Sequence, residues 1–285
     1  MIAIVTDSSV YMTKEEAGGL GVYIIPMPYY VDGHPYSEQY LEDADADFLK
    51  KLNSGKCTTS QPPAITYTGL FEELRQAGCK IICITISSRL SGTYSSATLA
   101  AREVDKDGEN IKVIDSRLTA GGMKFLVEFA ANMAKDAGVC KDIDAGKNTK
   151  SFNEIVSLIE SEREKISMVF TVEDLEPLRR SGRIGFIRKS VGTILNIRPI
   201  FKFADGAVVS HDFSKGKSQQ VSKMIAAIPK DAKKINVQCI GGNDFARMLI
   251  KAVKTEFPNA EIQTSAIGAI LGIHMGVPSF GIAWI

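Results

Sequence analysis

Long apolar runs are missing from this sequence. Its strongest hydrophobic stretches, such as Ile81 to Ile86, fall far short of the roughly 18 to 20 residues that a bilayer-spanning helix needs. The expectation is a chain that is not embedded in a membrane and touches one only transiently. An excess of one charge is missing too. Against 34 lysines and arginines stand 33 aspartates and glutamates, a net charge of +1, which provides no global attraction for nucleic acid. Histidine is scarce, with three residues and none at helical ligand spacing, so no dedicated metal site is expected. The five cysteines, at 57, 79, 83, 140 and 239, form no C-x-x-C pair and are odd in number. Such usage suits reduced thiols. The N-terminus runs straight into Ile2-Ala3-Ile4-Val5 without a basic-then-apolar leader, and the two features together point to the cytoplasm. Markers of nucleotide and hydrolase chemistry are also missing: no G-x-x-x-x-G-K-[ST] or G-x-G-x-x-G follows a strand, and no G-x-S-x-G elbow occurs.

What is present is ordinary for a folded chain: 285 residues, 45% hydrophobic and 24% charged. At roughly 150 residues per domain this length predicts two domains. In the first half, Ile2 to Thr6, Val22 to Tyr30, Lys80 to Ile86 and Ile111 to Asp115 are short, Ile/Val-rich stretches that read as buried strands. Ala97, Ala100, Ala101 and Val104 recur at helical spacing, as do Met123, Leu126, Val127, Ala130 and Ala134. This order predicts a mainly parallel sheet flanked by helices.

Gly138 and the polar run Lys141 to Lys150 mark a boundary, dividing the chain into an N-terminal α/β domain over 1–148 and a C-terminal domain over 149–285. Ser151 with Glu154 forms a capping box that starts a helix at once. Strands are predicted at Met168 to Val172, Ile197 to Phe203, Ala207 to Phe213, Ile235 to Ile240 and Pro278 to Trp284, with Asp205-Gly206 as a hairpin turn. Two helical stripes, Val221-Met224-Ile225-Ile228 and Phe245-Leu249-Val253, complete an α+β domain with a mixed or antiparallel sheet. The fold class is therefore α/β with two domains.

Three polar segments follow or interrupt strands in the first half: Thr6-Asp7-Ser8-Ser9, Thr58-Thr59-Ser60-Gln61-Pro62-Pro63 and Ser87 to Tyr94. Ligands of open α/β sheets gather at the carboxyl ends of strands. Ser91, Gly92 and Thr93 lead into a helix, whose free N–H groups and positive dipole end favour an anion. The plainer reading is that Ser91 only caps that helix. Thr59 and Ser60 precede two prolines, which hold their hydroxyls on a stiff extended turn. Asp7 either reaches the same crevice or caps the next helix. In the second half Arg183 follows Arg179-Arg180-Ser181-Gly182 at a helix end, and His274 sits in the glycine-bordered loop Gly272-Ile273-His274-Met275-Gly276. Arg183 either reaches an anion or complements the helix dipole. His274 either donates a proton or hydrogen bond or is a structural histidine. Ser91 and His274 also leave open an esterase-like reading as nucleophile and base, and a phosphate- or nucleotide-binding module is a third.

Taken together, Thr6-Asp7-Ser8-Ser9, Thr59-Ser60-Gln61-Pro62, Ser87-Ser88-Arg89-Leu90-Ser91-Gly92-Thr93-Tyr94, Ile114-Asp115-Ser116 and Leu178-Arg179-Arg180-Ser181-Gly182-Arg183-Ile184 resemble the DegV family, in the same order over nearly the whole chain. Leu195 and Pro199 within Ile194 to Ile200 also match. The resemblance implies a two-domain α/β protein that holds one long-chain fatty acid, C14 to C18, in an apolar tunnel at or between its domains. It implies no cofactor and no catalysis of its own. The protein would be the acyl-binding subunit of a bacterial two-component fatty acid kinase, whose separate kinase subunit uses ATP to make an acyl phosphate. By position in the motifs, Thr59, Ser60, Ser91, the N–H of Gly92 and His274 would meet the carboxylate, with Arg183 and Asp7 near the head group. Lys215 and Lys217, in a basic loop after the hairpin, would dock the kinase subunit. Three positions depart from the family pattern: Tyr11 stands where aspartate is common, Pro63-Ala64 follows Ser-Gln-Pro, and the histidine motif reads His274-Met275-Gly276-Val277-Pro278.

Overall fold

A computed structural model describes residues 1–41, 48–139, 150–183, 197–242 and 244–285. The first half holds β1 (Ile2–Asp7), α1 (Lys14–Leu20), β2 (Val22–Ile25), β3 (Met27–Val31), β4 (His34–Glu38), α2 (Phe48–Ser54), β5 (Cys57–Thr59), α3 (Ala64–Gln76), β6 (Lys80–Thr85), α4 (Thr93–Val104), β7 (Ile111–Asp115) and α5 (Ala120–Val139). The second holds α6 (Phe152–Arg163), β8 (Ser167–Val172), α7 (Glu176–Ser181), β9 (Ile197–Ala204), β10 (Ala207–Lys215), α8 (Lys217–Ala226), β11 (Lys234–Ile240), α9 (Asp244–Glu256), β12 (Glu261–Ala266), α10 (Ala269–Met275) and β13 (Ser279–Trp284). The expected boundary at 148/149, Cys140, Ile184 and the motif residues Ile194 to Asn196 lie outside the described residues.

Strands β2-β1-β6-β7 form a parallel sheet. Because side chains alternate along a strand, Ala3, Val5, Ile81 and Cys83 pack under α3 and α4. Ile4, Ile82 and Ile84 pack on the other face under α5, with Ile155 and Ile159 of α6 in the same core. This is the helix-flanked parallel sheet expected of the first half. One predicted strand is corrected. Val22 to Tyr30 is two strands in two sheets, because Pro26 has no N–H to continue a ladder. The second piece, β3, centres a small antiparallel sheet, β4-β3-β5. Its β3–β4 turn, Asp32-Gly33, has both φ values positive, like Asp205-Gly206 between β9 and β10. That is the geometry Asp-Gly favours in two-residue hairpins.

The remaining strands form a mixed sheet in the order β10-β9-β8-β13-β11-β12, antiparallel except for β11–β12. One face packs on α8 and α9 through Val169, Ile235, Val237, Phe280 and Ile282. The other face turns toward the first half. Met168 and Ala283 share a core with α5. Apart from one polar stripe through Lys124, Glu128, Asn132 and Lys135, α5 is apolar, as a helix between two sheets requires; Met123, Phe125, Leu126, Val127, Ala130 and Ala131 are all buried. At its N-terminus the Gly121 N–H donates to Gln238 Oε1 of β11 at 2.7 Å.

Gly121 is closely faced: a Cβ there would lie 2.9 Å from Gln238 Cδ and 3.0 Å from Asn236 Oδ1. Overpacking of this kind costs about 1–3 kcal/mol. Gly121→Ala is therefore expected to lower the urea midpoint without changing the m-value, and an unchanged midpoint would show that α5 and β11 are not tightly apposed.

Candidate functional site

Where α5 begins, the two halves enclose a cavity of about 220 Å³. This is larger than the apolar cavities of about 150 Å³ that take up benzene. Its walls are mostly apolar, among them Met27, Ile86, Leu90, Phe170, Phe203 and Val208. Polar groups include Thr59, Ser60, Gln61, Ser91, Arg183 and His274.

The β6–α4 loop is fastened from several sides. Asp7, fully buried at the end of β1, accepts the Ile86 N–H at 2.7 Å through Oδ2 and the Ser9 N–H at 3.1 Å through Oδ1. Ser87 donates its N–H to the Leu118 carbonyl at 2.9 Å and its hydroxyl to the Gly206 carbonyl at 2.7 Å, so the β9–β10 turn is tied to the loop. Ser88 donates N–H and Oγ–H to the Asp115 carboxylate. Asp7 does not line the cavity; it holds the strand end that does. Burial pushes its carboxyl up from the usual range, against the opposing pull of the Ser9 and Ile86 donors.

The twelve-residue α4 starts just after Gly92, which is its N-cap and has no side chain to cap it. Ser91 therefore stands one position before the cap. Its Oγ accepts the Thr93 N–H at 3.3 Å and lies 2.8 Å from Thr93 Oγ1. A Cβ on Gly92 would collide with the Gln61 amide, which lies against this helix end. Gln61 was not singled out from the sequence, although it stands inside the Thr59-Ser60-Gln61-Pro62 motif. Thr59 is the last residue of β5, and Ser60 follows with its hydroxyl bonded to the Gln61 carbonyl at 3.3 Å.

His274 is not in a loop. It occupies the last turn of α10, a helix the glycines at 268, 272 and 276 obscured in the sequence. Its Nε2 lies 2.7 Å from Thr59 Oγ1, across a separation of 215 residues. Burial, then the positive charge of Arg183, lower its pKa to about 4, so the ring is neutral near pH 7. Arg183 follows Gly182, the left-handed C-cap of α7, and its Nε donates to the Leu90 carbonyl at 3.4 Å. It is bonded to the Ser181 carbonyl as well.

Two residues that the sequence reading did not assign hold α10 in place. Glu38 Oε2 accepts the Ala269 N–H at 2.6 Å, and the Tyr11 hydroxyl accepts the Leu271 N–H at 2.9 Å. Burial and the neighbouring Glu38 charge push the Tyr11 phenol well above its usual range, so it stays protonated. Ser279 donates to the Met275 and Gly276 carbonyls at the far end. No local signal could have found Glu38, which meets Ala269 across 231 positions.

Lys215 and Lys217 do not line the cavity and are not in a loop. They are the last residue of β10 and the first of α8, on either side of Gly216 at φ +84°. The pair that esterase chemistry would need is not joined, since Ser91 Oγ meets Thr93 and His274 Nε2 meets Thr59. Among the described residues no helix is long and apolar enough to cross a membrane, and no cluster of potential metal ligands occurs.

Removing the Asp7 carboxylate strands the buried Ile86 and Ser9 N–H groups, each worth about 1–3 kcal/mol. Asp7→Ala is expected to lower thermal stability accordingly. An unchanged melting temperature would show that these bonds do not hold the loop.

A protein-family model described as an uncharacterised protein of the DegV family matches residues 1–285. A DegV domain-containing protein of Halalkalibacterium halodurans is 30% identical, covering 99% of this chain and 98% of its own. Among solved structures, DegV from Bacillus subtilis, described as a fatty acid binding protein, is 27% identical with a TM-score of 0.84, covering 99% of this chain and 98% of its own. A fatty-acid-binding DegV family protein from Thermus thermophilus superposes with a TM-score of 0.85 at 24% identity, over 99% of this chain and 98% of its own. This chain, matched along its entire length, belongs to the DegV family.

Proposed function

We propose that this protein binds one long-chain fatty acid, C14 to C18, and presents its carboxylate to a separate ATP-dependent kinase subunit in the cytoplasm. The observation that carries the reading is the Thr59–His274 bond of 2.7 Å, set with Ser91 and Gly92 at a mostly apolar cavity. Fatty acid binding by the DegV protein of Bacillus subtilis supports it.

Proton counting assigns each residue a part. A carboxylate only accepts hydrogen bonds, and a threonine hydroxyl has one proton to give. Thr59 donates that proton to the ligand, so it must accept from His274, whose neutral ring then carries its proton on Nε2. Ser91 accepts from the Thr93 N–H and, with Thr93 as donor, from the Thr93 hydroxyl too, which leaves its own proton for the other carboxylate oxygen. The Gly92 N–H at the start of α4 adds a donor and the positive end of a helix dipole. Arg183 supplies a positive charge beside the head group, Ser60 a further hydroxyl, and Asp7 the loop position. The hydrocarbon tail lies along the apolar walls, each buried methylene contributing about 0.8 kcal/mol.

In the full reaction the kinase subunit transfers the γ-phosphoryl group of ATP to a carboxylate oxygen, releasing ADP and leaving an acyl phosphate on this protein. The binding subunit itself breaks no bond and needs no cofactor. Arg183 balances the charge that rises when the carboxylate becomes an acyl phosphate, a mixed anhydride. Lys215 and Lys217, exposed at the β10–α8 junction, provide a positively charged contact for the partner.

Organic extraction of purified protein followed by lipid mass spectrometry is expected to recover about one equivalent of fatty acid from wild type. Thr59→Ala and Ser91→Ala each remove a hydrogen bond to a charged group, worth about 1.5–3 kcal/mol, and are expected to hold much less. A wild type that is empty and takes up no added oleate overturns the reading.

His274 carries a pH signature. Its folded pKa of about 4 lies below the usual 6.5, so the unfolded chain takes up the proton first as pH falls. Its contribution to stability is full above about pH 6.5 and is lost as pH drops through about 4. Urea midpoints of ligand-stripped protein should fall over this window, less steeply in His274→Gln; parallel profiles would show that the ring is not held neutral.

A further inference from the structure

We propose that Gly281, on the floor of the cavity, sets the length of acyl chain the protein accepts. This rests on the fatty acid reading above. Gly281 lies on β13, near the middle of the six-stranded sheet, and lines the cavity. It is directly opposite Gln238 of β11 and Phe170 of β8. Residues paired in this way share a face of the sheet, and both neighbours line the cavity too. A side chain at 281 would therefore point into the same space.

The strand is lopsided. On the cavity side β13 carries Ser279, Gly281 and Ala283, while Phe280, Ile282 and Trp284 fill the core beneath α8 and α9. The small residues leave a trough between the side chains of β8 and β11. At 279 and 283 the size has a visible use: Ser279 bonds the end of α10, and Ala283 packs in the core with Met168.

Among the described residues no such local reason exists at 281. Gly281 is not among the residues with positive φ, so its backbone does not call for glycine. Among the described residues a Cβ would meet only the Val169 carbonyl at 3.6 Å and Phe170 Cβ at 3.7 Å, which is ordinary contact. Glycine in a strand interior weakens the strand and forfeits packing. What it provides here is room in the cavity. Thr59, Ser91, Gly92 and His274 all lie on elements outside this sheet, so a substitution at 281 leaves the proposed carboxylate contacts in place.

The test compares wild type, Gly281→Ala and Gly281→Val as full-length, delipidated proteins, measuring Kd for saturated acids from C12 to C20. Each methylene excluded from the cavity weakens binding about fourfold, the equivalent of about 0.8 kcal/mol. Gly281→Val is expected to raise the Kd of the C18 acid at least tenfold relative to the C14 acid, and Gly281→Ala to shift the profile in the same direction by less. Identical profiles in all three proteins, or equal weakening at every length, overturn the proposal while leaving the fatty acid reading intact. A wild type that binds none of the acids defeats that reading itself. Far-UV circular dichroism checks folding; if the valine variant does not fold, the alanine profile decides.

Discussion

One helix serves two sheets, and the site depends on that constraint. α5 packs on the parallel sheet with one side and on β11 and β13 of the mixed sheet with the other. A helix about 10 Å across keeps two sheets apart wherever it runs. Past its N-terminal end, among the described residues, no element of equal width continues the layer, and Thr119 and Ala120 line the cavity instead. The cavity is the continuation of the helix layer past the end of the helix. Its apolar lining follows, because the walls are the inward faces of elements that elsewhere form core.

The polar end is assembled by backbone groups that need partners. Glu38, Tyr11 and Ser279 meet the first and last turns of α10, where helices leave N–H and C=O groups unsatisfied. Their satisfaction places His274 against Thr59. Asp7 does the same for the strand end at Ile86. Short range and burial make these bonds directional, so the hydroxyls that face the cavity are held on a rigid frame. The neutral state of His274 has the same origin: burial disfavours its charge, and Arg183 adds repulsion.

Legibility in the sequence followed the range of the interaction. Strands β1, β6 and β7 announced themselves by short Ile/Val runs, and α6 by its Ser151–Glu154 capping box, which the structure shows with both bonds made. The Asp205-Gly206 turn was equally local. By contrast, α10 is seven residues long, interrupted by Gly272 and flanked by Gly268 and Gly276; its helical form comes from Glu38 and Tyr11, which no window around His274 contains. Pro26 was visible, but which sheet each side of it joins was not, because strand partners are chosen by tertiary packing.

The sequence by itself determined the class of fold, through hydrophobic periodicity, and the family, through motifs whose order spans the chain. It also marked Thr59, Ser91, Gly92, Arg183 and His274 as residues of interest, since hydroxyls before prolines, a glycine at a helix start and a histidine between glycines are local patterns. Only the tertiary structure decided that Thr59 and His274 touch, that Asp7 works from beneath the site, and that a glycine at 281 lines the cavity. Each of these is a contact between segments far apart in the chain, whose geometry is set by the packing of whole layers and by no property of the residues' own neighbours.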